Sequence, residues 1–208
     1  MTPAKTEGFC IWLTGLQGAG KTTIAGHVEK HLRGLGLRVE TLDGDEVRAA
    51  LSPKLGFTAE ARDENTKRIA YVAKLLARNG VAVLCPVVAP ERRHRDRCRE
   101  WVDRFVEVYV KASMPVLEER DPKGLYAKAK RGEVDDLVGV HQPYEEPLKP
   151  EVVVDTDAEP PEASARRVIR HLERAGYVPA TLGDDDEHEY ARDDEETVRK
   201  RLEALGYL

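Results

Sequence analysis

Short apolar runs rich in β-branched residues alternate along this chain with longer stretches in which apolar positions recur at helical spacing. The pattern predicts strands at 9–14, 38–42, 81–88, 105–110 and 152–155, with helices at 21–33, 58–78, 92–101 and 114–120. Such alternation describes βα units laid on a mostly parallel sheet, a three-layer α/β sandwich. In that architecture ligands bind at the carboxyl ends of the strands, so the chemistry is sought in the segments that follow them. From 121 to 150 the chain is polar, with glycines and prolines but no clear strand, and a loop of that length inside a compact domain reads as a lid. A further helix-rich part covers 162–175. The acidic stretch 183–196, which holds Asp184, Asp185, Asp186 and Glu187, reads as a solvated linker, and 195–208 returns to helical period as a docking helix. The expected organisation is one domain over 1–178, followed by an acidic linker and C-terminal helix over 179–208.

Composition narrows the function classes. The 208 residues suit one full core, and 41% hydrophobic with 34% charged residues is ordinary for a globular protein. No apolar run approaches the roughly 20 residues of a membrane span, and residues 1–8 carry neither a secretory core nor an arginine-rich amphipathic leader, so a cytoplasmic protein without a membrane partner is expected. Three scattered cysteines, Cys10, Cys85 and Cys98, are too few for a disulfide framework or a zinc knuckle. A net charge of −5 argues against non-specific nucleic-acid binding and leaves room for a local basic pocket around one small anion. His27 and His31 share a helix face without a third ligand. The basic run Arg92-Arg93-His94-Arg95-Asp96-Arg97 interleaves with acids and reads as a solvated face, Arg92 excepted, which is expected to point towards a ligand.

The first strand runs directly into Gly15-Leu16-Gln17-Gly18-Ala19-Gly20-Lys21-Thr22, and a helical stretch follows at once. This is the Gly-x-x-x-x-Gly-Lys-Ser/Thr phosphate loop in its required strand-to-helix context, which makes the sandwich one of the P-loop NTPase type. Glycine lets the backbone fold back so that successive N–H groups point at phosphate oxygens, and the helix amino terminus adds partial positive charge. Lys21 is the mobile cation for the β- and γ-phosphates, the Thr22 hydroxyl a ligand for Mg²⁺, and Thr23 a helix starter. With no Asn-Lys-x-Asp element for guanine, ATP is the expected nucleotide. A late apolar run ending in acid, Val152-Val153-Val154-Asp155, is a second candidate for the metal side.

The second predicted strand ends in Leu42-Asp43-Gly44-Asp45, which puts two carboxylates at the same end of the sheet as the phosphate loop. One can position Mg²⁺ and the other can accept a proton from an attacking hydroxyl; alternatively, Asp45 caps the helix carrying Val47 and Arg48. Arg48, Phe57, Arg62, Asn65 and Arg68 follow, the last three at spacings of three along one helix face, and such a set can hold an anionic nucleotide by bidentate bonds and stacking.

These motifs resemble those of the adenylyl-sulfate kinases across nearly all of residues 8–178. The resemblance rests on Ile11-Trp12-Leu13-Thr14 entering the phosphate loop, Leu42-Asp43-Gly44-Asp45 with Val47-Arg48, Leu55-Gly56-Phe57, Arg62, Glu64-Asn65 and Arg68. It continues through Phe105-Val106-Glu107-Val108-Tyr109-Val110, Arg120-Asp121-Pro122-Lys123-Gly124-Leu125-Tyr126, Lys128-Ala129, Pro143-Tyr144-Glu145 and Pro147. It implies transfer of the γ-phosphate of MgATP to the 3′-hydroxyl of adenylyl sulfate. Gly15, Gln17, Gly18, Ala19, Gly20, Lys21, Thr22 and Thr23 would hold the ATP phosphates, with Arg120 against its adenine. Arg48, Phe57, Arg62, Asn65, Val88, Ala89 and Leu137 would hold the acceptor, Asp43 and Asp45 would lie near its hydroxyl, and Lys123 and Lys128 would belong to the mobile lid. A homodimer and association with a sulfurylase are the partner states left open. The chain departs from the usual family pattern in three places. Ala89-Pro90-Glu91-Arg92 replaces Ser-Pro-Tyr-Arg, leaving no hydroxyl for a phosphoserine intermediate; Leu137 stands where an aromatic often stacks on the acceptor base; and Gln17 replaces a serine. Direct in-line transfer is the route these residues leave. A kinase of the same build acting on another nucleotide conjugate, such as a cytidine diphosphate derivative, is the alternative, and an ATP-binding regulatory module is the non-catalytic one.

Overall fold

A computed structural model describes residues 7–181; the acidic linker and docking helix expected beyond 181 lie outside the described residues. Five strands form one parallel sheet: β1 (Phe9–Thr14), β2 (Val39–Thr41), β3 (Ala82–Pro86), β4 (Phe105–Lys111) and β5 (Val152–Asp155), in the order β2-β3-β1-β4-β5. The helices are α1 (Lys21–Gly34), α2 (Gly44–Leu51), α3 (Ala59–Ala77), α4 (Arg92–Trp101), α5 (Met114–Arg120), α6 (Leu125–Lys130) and α7 (Pro161–Arg174). Every strand predicted from the pattern is present.

Strand order dictates the layering. The chain leaves β1 through α1 to reach β2 on one side, then passes from β3 across β1 to β4 through α4, moving the opposite way. With right-handed crossovers these two connections must cover opposite faces. Accordingly Cys10 and Trp12 of β1 pack with Ile69, Ala70 and Ala73 of α3 and Cys98 of α4. The alternating residues Ile11 and Leu13 are equally buried and point the other way, the side served by Ile24, Val28 and Leu32 of α1.

The chain divides into two units, one ending at His171 and the other beginning at Leu172. In the second, the Tyr177 N–H closes the end of α7 on the Leu172 carbonyl at 2.8 Å, and Thr181 donates to Glu173 from both N–H and hydroxyl. No helix among the described residues is long and apolar enough to cross a membrane.

Two local differences from the sequence pattern bear on the site. Strand β3 stops at Pro86, two residues short of its apolar run: the Val87 N–H makes one more bond to the Leu13 carbonyl, and the backbone then turns at Ala89, whose φ is 40°. The basic run 92–97 is not a solvated face. His94 and Arg95 are 0% and 2% exposed, because α4 packs against α3 and β4, and these elements supply counter-charges in Asp63 and Glu107. Arg92 does not point into the cleft; its Nε donates to the Glu146 carbonyl at 2.8 Å.

Candidate active site

The carboxyl ends of β1, β2 and β3 open into one cavity of about 1140 Å³, large enough for two nucleotide-sized ligands. At one end lies the phosphate loop. Gly15, Gly18 and Gly20 have φ values of 152°, 79° and 93°. A Cβ at Gly15 would meet the Val110 carbonyl oxygen at 2.2 Å, so this turn against β4 admits only glycine. Helix α1 begins after Gly20 with no side-chain cap and no acidic residue in its first turn, leaving its N–H groups and positive dipole end to an incoming anion. Lys21 is 9% exposed and folds back, donating to the Gly15 and Leu16 carbonyls at 3.0 and 2.8 Å. Burial brings its pKa down to about 8, with the nearby Lys123 adding to the fall while the carboxylates of Asp43 and Asp45 oppose it.

Helix α2 joins this loop to the other end of the cavity. Asp43, not Asp45, is its N-cap: one carboxylate oxygen accepts from the Asp45 N–H at 2.9 Å, and the other accepts from the Thr22 hydroxyl at 3.2 Å. Asp45, in the first turn, is thereby left to its partner Lys123, whose ammonium contacts the carboxylate and has its pKa raised by that bond. One turn on, Arg48 donates to the Gly56 carbonyl at 2.7 Å and lies 4.7 Å from the centroid of the Phe57 ring. Arg62 of α3 approaches the same ring at 5.4 Å and bonds the Phe57 and Asp136 carbonyls at 3.0 and 2.9 Å. Burial lowers the pKa of both guanidinium groups, against the opposing pull of Asp136 on each. Two partly desolvated cations with carbonyls and a ring face for partners suit an anion with a flat base. Asn65, 6% exposed, lines the cavity with its Oδ1 lacking any hydrogen-bond partner, an acceptor in wait of a ligand donor.

Of the residues singled out from the sequence, Gln17, Gly18, Gly20, Lys21, Thr22, Thr23, Asp43, Asp45, Arg48, Phe57, Arg62, Asn65, Val88, Ala89, Arg120, Lys123 and Leu137 line this cavity. Gly15 and Ala19 shape the loop from behind. Lys128, on α6, is exposed and outside the lining; half-buried Arg68, which donates to the Ser52 hydroxyl at 3.2 Å, and half-buried Asp155 at the end of β5 are outside it too.

Two further positions have roles that the sequence pattern does not show. Thr156, just after β5, is buried; its hydroxyl donates to the Ala19 carbonyl at 3.2 Å and accepts from Arg120 at 2.9 Å, fixing the base side of the phosphate loop to the last strand. Tyr126 of α6 donates its hydroxyl to the Gln17 carbonyl at 2.9 Å, which ties the lid to the phosphate loop. The Asp121 carboxylate organises that lid helix by accepting from the N–H groups of Tyr126 and Ala127. Tyr126, the second residue of α6, closes a motif visible in the sequence, but only the fold shows which carbonyl it meets.

A parallel sheet with a phosphate loop after β1, a carboxylate pair at the start of the neighbouring helix and a far wall of two guanidinium groups about a ring defines a P-loop kinase of small molecules. Residues 7–155 match the adenylylsulphate kinase family. The chain is 49% identical over 172 residues to an adenylyl-sulfate kinase of Halothermothrix orenii, covering 83% of this chain and 93% of that protein. It is likewise 49% identical over 173 residues to a probable bifunctional SAT/APS kinase 2 of Sorangium cellulosum, 83% of this chain but 30% of that longer protein. Among solved structures, the Mycobacterium tuberculosis APS kinase in complex with AMPPNP and APS superposes with a TM-score of 0.78 at 38% identity, covering 80% of this chain and 98% of that one. The chain belongs to the adenylylsulphate kinase family.

Proposed function

We propose that this chain transfers the γ-phosphoryl group of ATP to the 3′-hydroxyl of adenylyl sulfate, giving 3′-phosphoadenylyl sulfate and ADP. The observation that carries the reading is continuity: α2 contacts the phosphate loop through Asp43 and Thr22 and the Phe57 wall through Arg48, so one short helix sets donor and acceptor in register within a single cavity. Phosphoryl transfer needs positioning and charge neutralisation more than covalent help, and this is what the lining offers.

Main-chain N–H groups of the phosphate loop and Lys21 hold the β- and γ-phosphates, while Arg120 and Thr156 bound the base side. The residues present suit Mg²⁺: a threonine hydroxyl beside a single carboxylate, with no group of three acidic, histidine or cysteine ligands among the described residues, is how a hydrated ion carried in with ATP is held. Thr22 and Asp43 would hold it, and the chemistry it would supply there is charge neutralisation on the phosphate oxygens. Arg48, Phe57, Arg62 and Asn65 hold adenylyl sulfate. Asp45 takes the proton from its 3′-hydroxyl as that oxygen bonds to the γ-phosphorus, and the bond from phosphorus to the β-bridging oxygen breaks with its electron pair leaving on ADP. Lys123 then has the departing or transferred phosphoryl oxygens in place of Asp45 as its partner. Lys123, Tyr126 and Leu137, on the segment 121–150, exclude water that would otherwise hydrolyse ATP.

The working setting is a cytoplasm supplying MgATP, where Cys10, Cys85 and Cys98 remain free thiols. The relative bearing both SAT and APS kinase in its name supports functional pairing with a sulfurylase that makes the acceptor. The test is transfer of label from [γ-³²P]ATP with Mg²⁺ present, offering adenylyl sulfate and cytidine diphosphate conjugates in parallel. Labelled 3′-phosphoadenylyl sulfate with negligible label on the cytidine compounds is expected; the reverse preference, or ATP binding with no labelled acceptor, contradicts the proposal.

A further inference from the structure

Behind the acceptor side of the cavity lies a charged group that the transfer step never touches. Val88 and Ala89 line the cavity, and Ala89, with φ of 40°, is a non-glycine residue in the left-handed range that favours glycine. A side chain there is strained and stays only if its surroundings hold it. The holding group is Arg95. It is 2% exposed, and its three nitrogens point three ways: Nη1 to the Ala89 carbonyl at 2.6 Å, Nη2 to the Glu145 carbonyl at 2.5 Å, and Nε to Glu107 Oε1 at 2.8 Å. The same turn is gripped at each neighbouring position. The Val88 carbonyl accepts from Thr14 at 2.6 Å, the Thr14 hydroxyl meets that of Tyr144 at 2.9 Å, and the Arg95 guanidinium lies 5.7 Å from the Tyr144 ring centroid. The Pro90 carbonyl accepts from the Glu145 N–H at 2.8 Å, and the Glu145 carboxylate accepts from the Arg92 N–H at 2.7 Å.

A buried guanidinium is tolerated only where its donors are met and a counter-charge is close, and Glu107 on β4 provides the charge. The other two bonds add nothing to charge balance; they go to backbone carbonyls at the site wall and at the loop returning behind it. We infer that Arg95 is a positioning residue: by holding the Ala89 carbonyl it fixes the strained turn 88–90 and with it the shape of the acceptor wall. This inference rests on the acceptor being adenylyl sulfate.

Three variants separate positioning from simple support of the fold. In Arg95→Lys the ammonium keeps Glu107 but cannot also span two carbonyls, because lysine lacks the fork. Removing Arg95 alone would leave the buried Glu107 carboxylate only Arg99, at 3.5 Å, so Arg95→Met is paired with Glu107→Gln, which takes out both charges and keeps volume. Glu107→Gln alone leaves the bond to Ala89. The KM values for adenylyl sulfate and ATP are measured for each, with the melting temperature. Arg95→Lys and the double variant are expected to raise the acceptor KM by about tenfold or more, with the ATP KM within about twofold; Glu107→Gln lowers the melting temperature while the acceptor KM stays within about twofold. Adding Ala89→Gly to Arg95→Lys lowers the acceptor KM again, since glycine adopts φ of 40° without steric strain. The inference is overturned if both Arg95 variants leave the acceptor KM unchanged, if the two KM values rise together, or if Glu107→Gln raises the acceptor KM as far as Arg95→Lys does. Wild-type enzyme that does not phosphorylate adenylyl sulfate refutes the underlying function instead.

Discussion

In the proposed reaction the donor and acceptor ends of the cavity face the same problem, gripping an anion, and meet it with different parts of the chain. At the donor end the contacts come from eight consecutive residues and mostly from the backbone, with glycines where the chain must bend and an uncapped helix to finish it. At the acceptor end they come from side chains of α2, the loop before α3, α3 itself, the turn after β3 and the lid. A main-chain cradle tolerates substitution of side chains that merely point outward. A cradle of guanidinium groups depends on each of them and on whatever holds each in place.

Substitutions sharpen that contrast by degrees. The largest effect is expected where the two ends meet: Asp45→Asn removes the proposed proton acceptor and should lower kcat by about 10²–10⁴-fold with little change in either KM, measured by steady-state transfer. Next comes the acceptor grip. Arg62→Ala loses charge-assisted bonds worth roughly 1.5–3 kcal/mol and should raise the acceptor KM by about 10- to 100-fold, with the ATP KM close to wild type.

The pH dependence tests the donor end by itself. The Lys21 pKa is depressed to about 8, so the free protein sheds this charge as pH rises past that value, and ATP affinity should weaken by up to about tenfold per unit from pH 8 upward in titration calorimetry. Stability runs the other way. Between about 8 and the ordinary lysine value of 10.5 the unfolded chain binds more protons at this position than the folded one, so Lys21 makes the ligand-free protein more stable as pH rises through that window. The smallest effect is expected at the lid. Tyr126→Phe removes one neutral bond to the Gln17 carbonyl and should raise ATP hydrolysis without acceptor by about two- to fivefold, leaving transfer nearly intact.

How much of this could be read from the sequence follows the same division. The phosphate loop was legible because its geometry is local: glycine spacing, a preceding apolar strand and a following helix are all written within two dozen residues. Arg48, Arg62 and Asn65 were legible as a set only because α2 and α3 are close in sequence. Thr156 was not, since nothing in its own neighbourhood says that β5 ends beside Ala19, and it took the strand order to bring them together. Arg95 was misread for the same reason. A run of six residues with four arginines looks solvated when the counter-charges, Glu107 and Asp63, lie on other elements; its burial follows from long-range packing that charge spacing does not encode.

The claim that donor and acceptor are held by separate machinery in one cavity is tested most directly by binary affinity. Dissociation constants for a non-hydrolysable ATP analogue and for adenylyl sulfate, each measured alone on Lys21→Ala and on Arg62→Ala, should cross: Lys21→Ala loses the ATP analogue by about tenfold or more and keeps adenylyl sulfate, and Arg62→Ala does the reverse. Loss of the same ligand in both variants would contradict the division of the cavity.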